Sequence, residues 1–352
     1  MLTLEPLQQR IRDAAASGKA LRLRGGGSKD FYGNVPRGEI LDTRGYAGVV
    51  SYEPTELVIT ARCGTPLSEV EQVLEKSGQC LPFEPPHFGA ATFGGCIAAG
   101  LSGPRRAAAG ALRDYVLGVL LVDGRARVLS FGGRVMKNVA GYDVSRLLAG
   151  SLGVLGLIAE ASLKVLPRPR YEATLRLEMS EAQALESVAG WAGRPLPVSA
   201  TAWHANELRV RLSGAEPAVQ AAAGKLGGER LAQAQADAFW AGVREQADAF
   251  FAGPEPLWRV ALPGGAARLE APGRQMIEWG GALRWLKTDA ASQAVRDAAA
   301  RLGGHATLFR AAHKALPVFT PLDAARMRLH RELKAAFDPA GIFNPGRLYP
   351  EL

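Results

Sequence analysis

Three clusters of glycine mark places where chemistry could be done by backbone rather than by side chains. The first, Arg24-Gly25-Gly26-Gly27-Ser28-Lys29-Asp30-Phe31-Tyr32-Gly33, follows directly on a short β-rich run, Ala20 to Arg24. Consecutive glycines turn successive N–H groups toward one point without Cβ obstruction, forming a nest suited to phosphate oxygens. Ser28 adds a hydroxyl, while Arg24 and Lys29 add positive charge. The competing reading of such a segment is a plain turn. The second cluster, Thr92 to Gly103, combines tiny residues with little charge, so a bulky planar ligand could lie against its backbone, with Thr92 and Ser102 to hydrogen-bond it. Its competing reading is a tightly packed buried turn. The third, Gly150 to Ile158, leads into an apolar strand and admits the same pair of readings.

Two familiar phosphate loops are excluded. Gly18-Lys19-Ala20 and Gly224-Lys225-Leu226 lack the hydroxyl residue of a Walker A loop. A G-x-G-x-x-G fingerprint counted from Gly25 and Gly27 ends on Asp30. Arg105, Arg106 and Arg113 lie beside the second cluster and could hold a carboxylate bidentately or face an acidic partner. Lys137 and Tyr142 are candidates for proton transfer through their place at Gly141-Tyr142-Asp143. His305 and His313 are eight apart with no carboxylate between them, and His204 and His330 are isolated, so no metal site is expected. Cys63, Cys80 and Cys96 contain no C-x-x-C, which argues against a disulfide framework, a zinc site or an iron–sulfur cluster in this chain.

The elements that must position these clusters follow an α+β pattern. Short β-rich runs fall at Ala20 to Arg24, Ile40 to Asp42, Leu57 to Ala61, Val116 to Val122, Arg127 to Phe131 and Leu155 to Val165, with a helix over Leu67 to Lys76. Leu166-Pro167-Arg168-Pro169-Arg170 breaks regular structure twice and is the expected linker. Beyond it come a strand (Glu172 to Glu178), a helix (Glu181 to Trp191), a strand pair turning near Asn206 and a second helix (Pro217 to Leu226), a ferredoxin-like series. A last helix, Leu322 to Phe337, precedes a turn-rich tail. The expected division is 1–170, 171–315 and 316–352.

Of the 352 residues 41 are glycine, above the usual ~7%, and the hydrophobic share of 47% is that of a folded globular chain. The longest apolar runs, such as Tyr115 to Val122, are far short of the ~18 residues needed to span a bilayer. The first residues, with Glu5, Arg10 and Arg12, do not read as an export signal, and a cytoplasmic location is expected. The net charge of +8 is spread out rather than blocked, which favours an anionic cofactor, substrate or partner over nucleic acid.

The order and spacing of the clusters resemble the FAD-binding domain of the vanillyl-alcohol oxidase/p-cresol methylhydroxylase superfamily, over about residues 20 to 168. The features are the loop Arg24 to Gly33, a strand like Ile40 to Thr43, Thr92-Phe93-Gly94-Gly95 with Gly110 beyond it, then Gly141-Tyr142-Asp143 and Gly150 to Ile158. The tail, Phe337-Asp338-Pro339 to Phe343-Asn344-Pro345-Gly346, is similar to that family's C-terminal return to the flavin domain. The resemblance implies a two-subdomain flavin domain followed by a ferredoxin-like cap. It implies that Arg24, Gly25, Gly26, Gly27, Ser28, Lys29 and Gly33 serve the FAD pyrophosphate. It further implies that Pro86, Thr92, Gly94, Gly95, Gly100, Ser102 and Gly110 line the ribityl and flavin-ring region, with Gly156 and Ile158 closing it. The loop has Ser28 where covalent relatives carry a histidine, and His87 reads as a surface residue, so non-covalent FAD is implied.

Within the superfamily, the short chain, the Lys137 to Asp143 segment and the Phe-Asn-Pro-Gly-Arg-Leu-Tyr ending are similar to the FAD-binding E subunits of bacterial glycolate oxidases. This implies oxidation of glycolate to glyoxylate beside a larger homologous flavoprotein and an iron–sulfur subunit, with any membrane contact peripheral and through the complex. Two other readings stay open: a stand-alone dehydrogenase for another 2-hydroxy acid such as D-lactate, or for an alcohol, and a scaffold that retains the flavin fold without turnover.

Overall fold

The computed structural model describes residues 3–133, 143–314 and 317–352. The chain begins with helix α1 (Glu5–Ser17), started by Pro6 in the first turn, where a missing N–H costs nothing, and closed by Gly18 in the left-handed region. Strands β1 (Leu21–Arg24) and β2 (Glu39–Asp42) pair in parallel, so the loop between them, which holds the first glycine cluster, leaves from one end of the pair.

Next come β3 (Val49–Glu53), β4 (Val58–Arg62), α2 (Leu67–Glu75), β5 (Gln79–Cys80), α3 (Phe93–Ala99), α4 (Arg106–Ala109), β6 (Val116–Val122), β7 (Val128–Gly132), α5 (Val144–Leu147), β8 (Leu157–Lys164) and β9 (Leu166–Pro167). Five of the strands form an antiparallel sheet in the order β3-β4-β8-β6-β7. Helices α2 and α3 cover it, and Ile59, Leu67, Phe83, Phe93, Leu112 and Leu163 make the core between them. The expected linker is tied down at its start: Leu166 and Pro167 pair antiparallel with Gln79 and Cys80.

The remaining elements are β10 (Tyr171–Glu178), α6 (Glu181–Trp191), β11 (Val198–His204), β12 (Glu207–Gly214), α7 (Glu216–Leu226), β13 (Glu229–Arg230), α8 (Gln233–Arg244), β14 (Leu257–Ala261), β15 (Arg274–Glu278), β16 (Leu283–Lys287), α9 (Ser292–Arg301), β17 (His305–Arg310) and α10 (Ala324–Phe337). Their strands build one antiparallel sheet of eight, ordered β13-β10-β12-β11-β15-β16-β14-β17. The first half is the ferredoxin-like unit expected from sequence, with its fourth strand beside its first and its third between first and second. The second half has the same order in mirror sequence along the sheet, with residues 262–273 replacing its first helix. The two halves join through their second strands, where Ala202 faces Glu278 and Trp203 faces Ile277. The mixed helix–sheet architecture with a ferredoxin-like cap is therefore as expected, but the cap sheet is twice as wide.

After α10 the tail returns to the first region. Leu21 N–H donates to Ile342 O (2.7 Å) and Asn344 N–H donates to Leu21 O (2.8 Å), laying the tail beside β1. Lys334 and Asp338, both buried, form an ion pair of 2.6 Å. The Lys334 ammonium also donates to Val154 O and Phe343 O, and Asp338 accepts from the N–H groups of Ile342 and Phe343. This cluster sets the angle at which the tail leaves the helix.

Candidate cofactor cleft and adjoining chamber

The first and second glycine clusters meet face to face. A Cβ on Gly25 would strike the Thr92 side chain, and one on Gly26 would overlap the Ala90 carbonyl oxygen, so only hydrogen fits between the loops. Gly27 has φ +73°, a conformation that L side chains rarely adopt. Among the described residues, the backbone N–H groups of Gly26, Gly27, Ser28 and Lys29 find no acceptor within the protein. They border a cleft with about 600 Å³ of space between the loop, Thr92, Gly95, Ala98 and Ala99.

The cleft is cationic. Arg22, Arg24, Lys29 and Arg347 all line it, and Asp30 is the one carboxylate among its lining residues. Asp30 pairs with Arg22 and, at 2.9 Å, with Arg24. The Arg22 Nε is buried without a partner, a donor whose burial is costly unless an anion supplies an acceptor. Arg347 reaches back from the tail to donate to Lys29 O (3.2 Å), Asp30 O (2.9 Å) and Asn34 O, clamping the loop from behind. Burial pulls its guanidinium down to about 10, still charged at neutral pH. Burial likewise lowers Lys29, whose ammonium donates to His87 O at 3.1 Å. Free N–H groups, a net positive wall and an orphaned guanidinium N–H suit a diphosphate.

A second compartment continues the cleft past Leu23, Gly25, Gly95, Leu152 and Asn344, which both share. Gly94, Gly156 and Ile158 line it, with Thr43 and Cys63. Asn344 joins its walls, accepting from Leu23 N–H (2.8 Å) and donating to Leu152 O (2.6 Å). Cys63 and Cys96 are buried, and burial pushes both thiols up to about 12, so neither is a nucleophile at neutral pH.

Pro86 and Ser102 line a third space, a chamber of about 330 Å³ between the second cluster and the cap sheet. Its cap-side wall carries Arg259 from β14, Glu278 from β15 and Trp285 from β16. Trp279 fastens the two walls, its Nε1 donating to Gly103 O at 3.0 Å. The loop before the chamber is held by Glu245, whose carboxylate accepts from the N–H groups of His87 and Phe88. Phe88, Phe309 and Trp285 form an edge-to-face aromatic series along it. Phe88 and Gln246, which line it, and the adjoining Trp279 all have positive φ (+52°, +53° and +55°), strain that persists only where packing imposes it.

The residues singled out by sequence are thus distributed over three places, of which the first two are continuous. Arg24, Gly25, Gly26, Gly27, Ser28, Lys29, Thr92 and Gly95 converge on the cationic cleft. Gly94, Gly156 and Ile158 share the second compartment, away from Pro86 and Ser102 in the third. Gly33 packs against Leu152 and the Arg347 carbonyl, Gly100 caps α3 against Gly150, and Gly110 ends α4, supporting walls rather than forming them. Arg105 donates its backbone N–H to Glu84 (3.0 Å), Arg106 stacks on Trp279 (4.5 Å), and Arg113 is exposed beside Asp114. Lys137 and Tyr142 lie outside the described residues. His87, expected at the surface, is half-buried and contacts Glu71 at 2.9 Å. Sequence reasoning missed Arg22, Asn344 and Arg347 in the cleft and Arg259, Glu278 and Trp285 in the chamber. Only the tail residues carried a signal, the Phe-Asn-Pro-Gly turn.

Comparison with known proteins gives the architecture a lineage. Residues 3–132 match the family described as FAD binding domain, and residues 285–348 match the C-terminal domain of FAD linked oxidases. The chain is 48% identical to the glycolate oxidase subunit GlcE of Escherichia coli (strain K12) over 99% of its own length and 98% of the relative's. It is 32% identical to the glycolate oxidase subunit GlcD of Bacillus subtilis (strain 168), over 43% of this chain and 33% of that one. Among solved structures, alkyldihydroxyacetonephosphate synthase superposes with a TM-score of 0.68 at 15% identity, covering 98% of this chain and 76% of the other, a likeness of fold.

Proposed function

This chain belongs to the glycolate oxidase subunit GlcE family, and from that premise we propose that it is the FAD-bearing subunit of a complex that oxidises glycolate to glyoxylate. The cofactor is FAD, as the matched FAD binding domain and the matched C-terminal domain of FAD linked oxidases both indicate. The observation that carries the reading is the cationic cleft of free backbone N–H groups at Gly26 to Lys29. In this reading residues 1–170 hold the flavin, 171–315 form the cap and 316–352 return to complete the cleft.

Gly26, Gly27, Ser28 and Lys29 would hold the diphosphate through backbone N–H groups, with Arg22, Arg24 and Lys29 balancing its charge. Gly25, Thr92, Gly95 and Asn344 would let the extended cofactor pass between loop and α3. Gly94, Gly156 and Ile158 would bound one end of it, and Pro86 and Ser102 the other. Bound there without a covalent tether, FAD supplies the acceptor for the hydride that leaves the substrate's Cα.

Dependence on partners is part of the proposal. The relatives are named as subunits. This chain's three cysteines are fewer than the four thiolates an iron–sulfur cluster takes. A larger flavoprotein homologue and an iron–sulfur subunit would then carry electrons onward. Among the described residues no helix is long and apolar enough to cross a membrane, so association with one would run through the complex. A self-sufficient 2-hydroxy-acid dehydrogenase is the second reading, favoured by the presence of the Arg259 chamber in this chain itself.

The test is the absorption spectrum of natively purified chain, before and after acid precipitation and then after anaerobic glycolate addition. Flavin released into the supernatant supports non-covalent FAD. Bleaching of the isolated chain favours the self-sufficient dehydrogenase, whereas bleaching only in the assembled complex favours the subunit. A colourless protein overturns the assignment of a bound flavin.

A further inference from the structure

The chamber between the second glycine cluster and the cap sheet is not explained by cofactor binding alone. Its walls are apolar, with Phe88, Leu101, Leu283 and Phe309 among them, yet it contains Arg259 and the fully buried Glu278. A carboxyl is almost never placed in such surroundings without a partner. Among the described residues the one group donating to it is the Trp285 indole, at 2.6 Å to one oxygen. Arg259 has no carboxylate within ion-pair distance among the described residues, and its guanidinium lies over the Trp279 ring at 5.3 Å. A cation without a counter-ion and a carboxyl with an oxygen to spare therefore share one small space.

Building on the reading above, we propose that this chamber binds a small 2-hydroxy- or 2-oxo-carboxylate, with Arg259 pairing its carboxylate and Glu278 hydrogen-bonding the oxygen on its second carbon. The geometry limits the ligand. The free space among these side chains is small, so only a compact acid enters. The guanidinium offers the paired N–H donors that match a carboxylate. Pro86 and Ser102 belong to the same lining, so the ligand sits at the end of the chamber where the cofactor's reactive ring is expected.

The charge environment gives the site a distinctive pH signature. Burial pushes Glu278 up to about 8, and the negative charge of Glu84 acts in the same direction. The Trp285 hydrogen bond and Arg259 act against it. Of the other charged groups around it, Glu84 is paired with Arg211 (2.8 Å), Arg244 with Glu245 (2.8 Å), and Arg106 stacks on Trp279. Ala202 and Leu283, its neighbours across the sheet, carry no charge. At neutral pH Glu278 thus keeps its proton and donates it to the ligand. Above about pH 8 its own negative charge repels the anion.

The experiment is calorimetric titration of the purified, FAD-loaded chain with oxalate, which has no Cα hydrogen to lose, and with glycolate under anaerobic conditions, from pH 6 to 9.5. The expected result is an affinity that falls up to tenfold per pH unit above pH 8. Arg259→Leu should weaken binding at least tenfold throughout. Glu278→Gln should bind at neutral pH but lose the alkaline fall, and Trp285→Phe, which removes the donor favouring the charged carboxyl, should move the midpoint to higher pH. Flavin content serves as the check on folding for each variant. Wild-type affinity in Arg259→Leu, or an unchanged pH profile in Glu278→Gln, overturns the proposal. The two readings fail separately. A chain that binds oxalate in this manner but retains no FAD defeats the flavin function and leaves the chamber. A complex that oxidises glycolate with Arg259→Leu indistinguishable from wild type does the reverse.

Discussion

The cleft and the chamber are adjacent, but they are built in opposite ways. The cleft is made of backbone: glycines at 25, 26 and 27 bring N–H groups to a surface that any Cβ would close. The chamber is made of single side chains sent from three neighbouring strands of the cap, Arg259, Glu278 and Trp285, onto the loop after α3. A site of backbone groups depends on many consecutive residues being small, so it leaves a local trace in the chain. A site of side chains depends on one residue per strand and leaves none.

The sharpest break in that contrast is expected from Gly26→Leu. The new side chain must occupy the volume of the Ala90 carbonyl, so the loop has to move away from α3 and the nest is lost. Flavin retention after native purification should drop at least 100-fold, about 3 kcal/mol of binding. Full flavin occupancy in this variant would mean that the cofactor is held elsewhere.

Lys334→Met reaches the same cleft through the tail, with a smaller effect on flavin binding than on folding. The pair it breaks is buried, and removing one partner of such a pair costs about 3–5 kcal/mol. The consequence should reach the cleft, because Asn344 and Arg347 are carried there by the tail that Lys334 and Asp338 anchor. Thermal melting should show the loss of stability and flavin titration a weaker affinity together. A lower melting temperature with unchanged flavin affinity would uncouple the tail from the cleft.

How much of this was legible follows the same division. The first flavin-side strands, α2, and the first ferredoxin-like unit were readable because their apolar residues alternate or recur at helical spacing, and Glu181–Trp191 ends where expected. The second unit was not. Its strands Arg274–Glu278 and Leu283–Lys287 bury Glu278, Arg284 and Lys287, so charged residues stand where the pattern calls for apolar ones. Helix α1 was missed for a different reason: it buries little beyond Ile11 and Ala14, which makes a weak stripe. The residues that cost most to bury were those that hid the chamber.

Glu278 also permits a test by stability alone. Its native value, raised to about 8, lies above the ordinary glutamate value of 4.5 that it regains on unfolding. Between those values the native state holds a proton that the unfolded chain has released, so the contribution of Glu278 to stability is fully present below pH 4.5 and is lost as pH rises toward 8. Glu278→Gln cannot titrate. The difference between variant and wild type in denaturant melts should therefore swing in favour of the variant by on the order of 2–4 kcal/mol between pH 5 and pH 8.5. A difference that stays constant over this range would show that the carboxyl is not held in its neutral form.

The smallest effect is expected at Arg113, and its value lies in the contrast with Arg106. Both were equal candidates on sequence, being close to the same glycine cluster. The structure separates them: Arg106 is half-buried with its guanidinium 4.5 Å from the Trp279 ring, whereas Arg113 is exposed on a single turn with Asp114 at 3.8 Å. Arg106→Ala should lose a cation–π contact of about 0.5–2 kcal/mol and loosen the join between loop and cap. Arg113→Ala should stay within about 0.5 kcal/mol of wild type in melting and leave oxalate affinity unchanged. A guanidinium that contributes nothing to the isolated chain is free to serve a surface. Association with the larger flavoprotein proposed as its partner, measured at low and high salt, should then be weaker in Arg113→Ala only at low salt, since an exposed ion pair across an interface is screened as ionic strength rises. Equal association at both salt concentrations would remove Arg113 from that interface, leaving Arg106 and the chamber beside it as the functional remainder of the basic cluster.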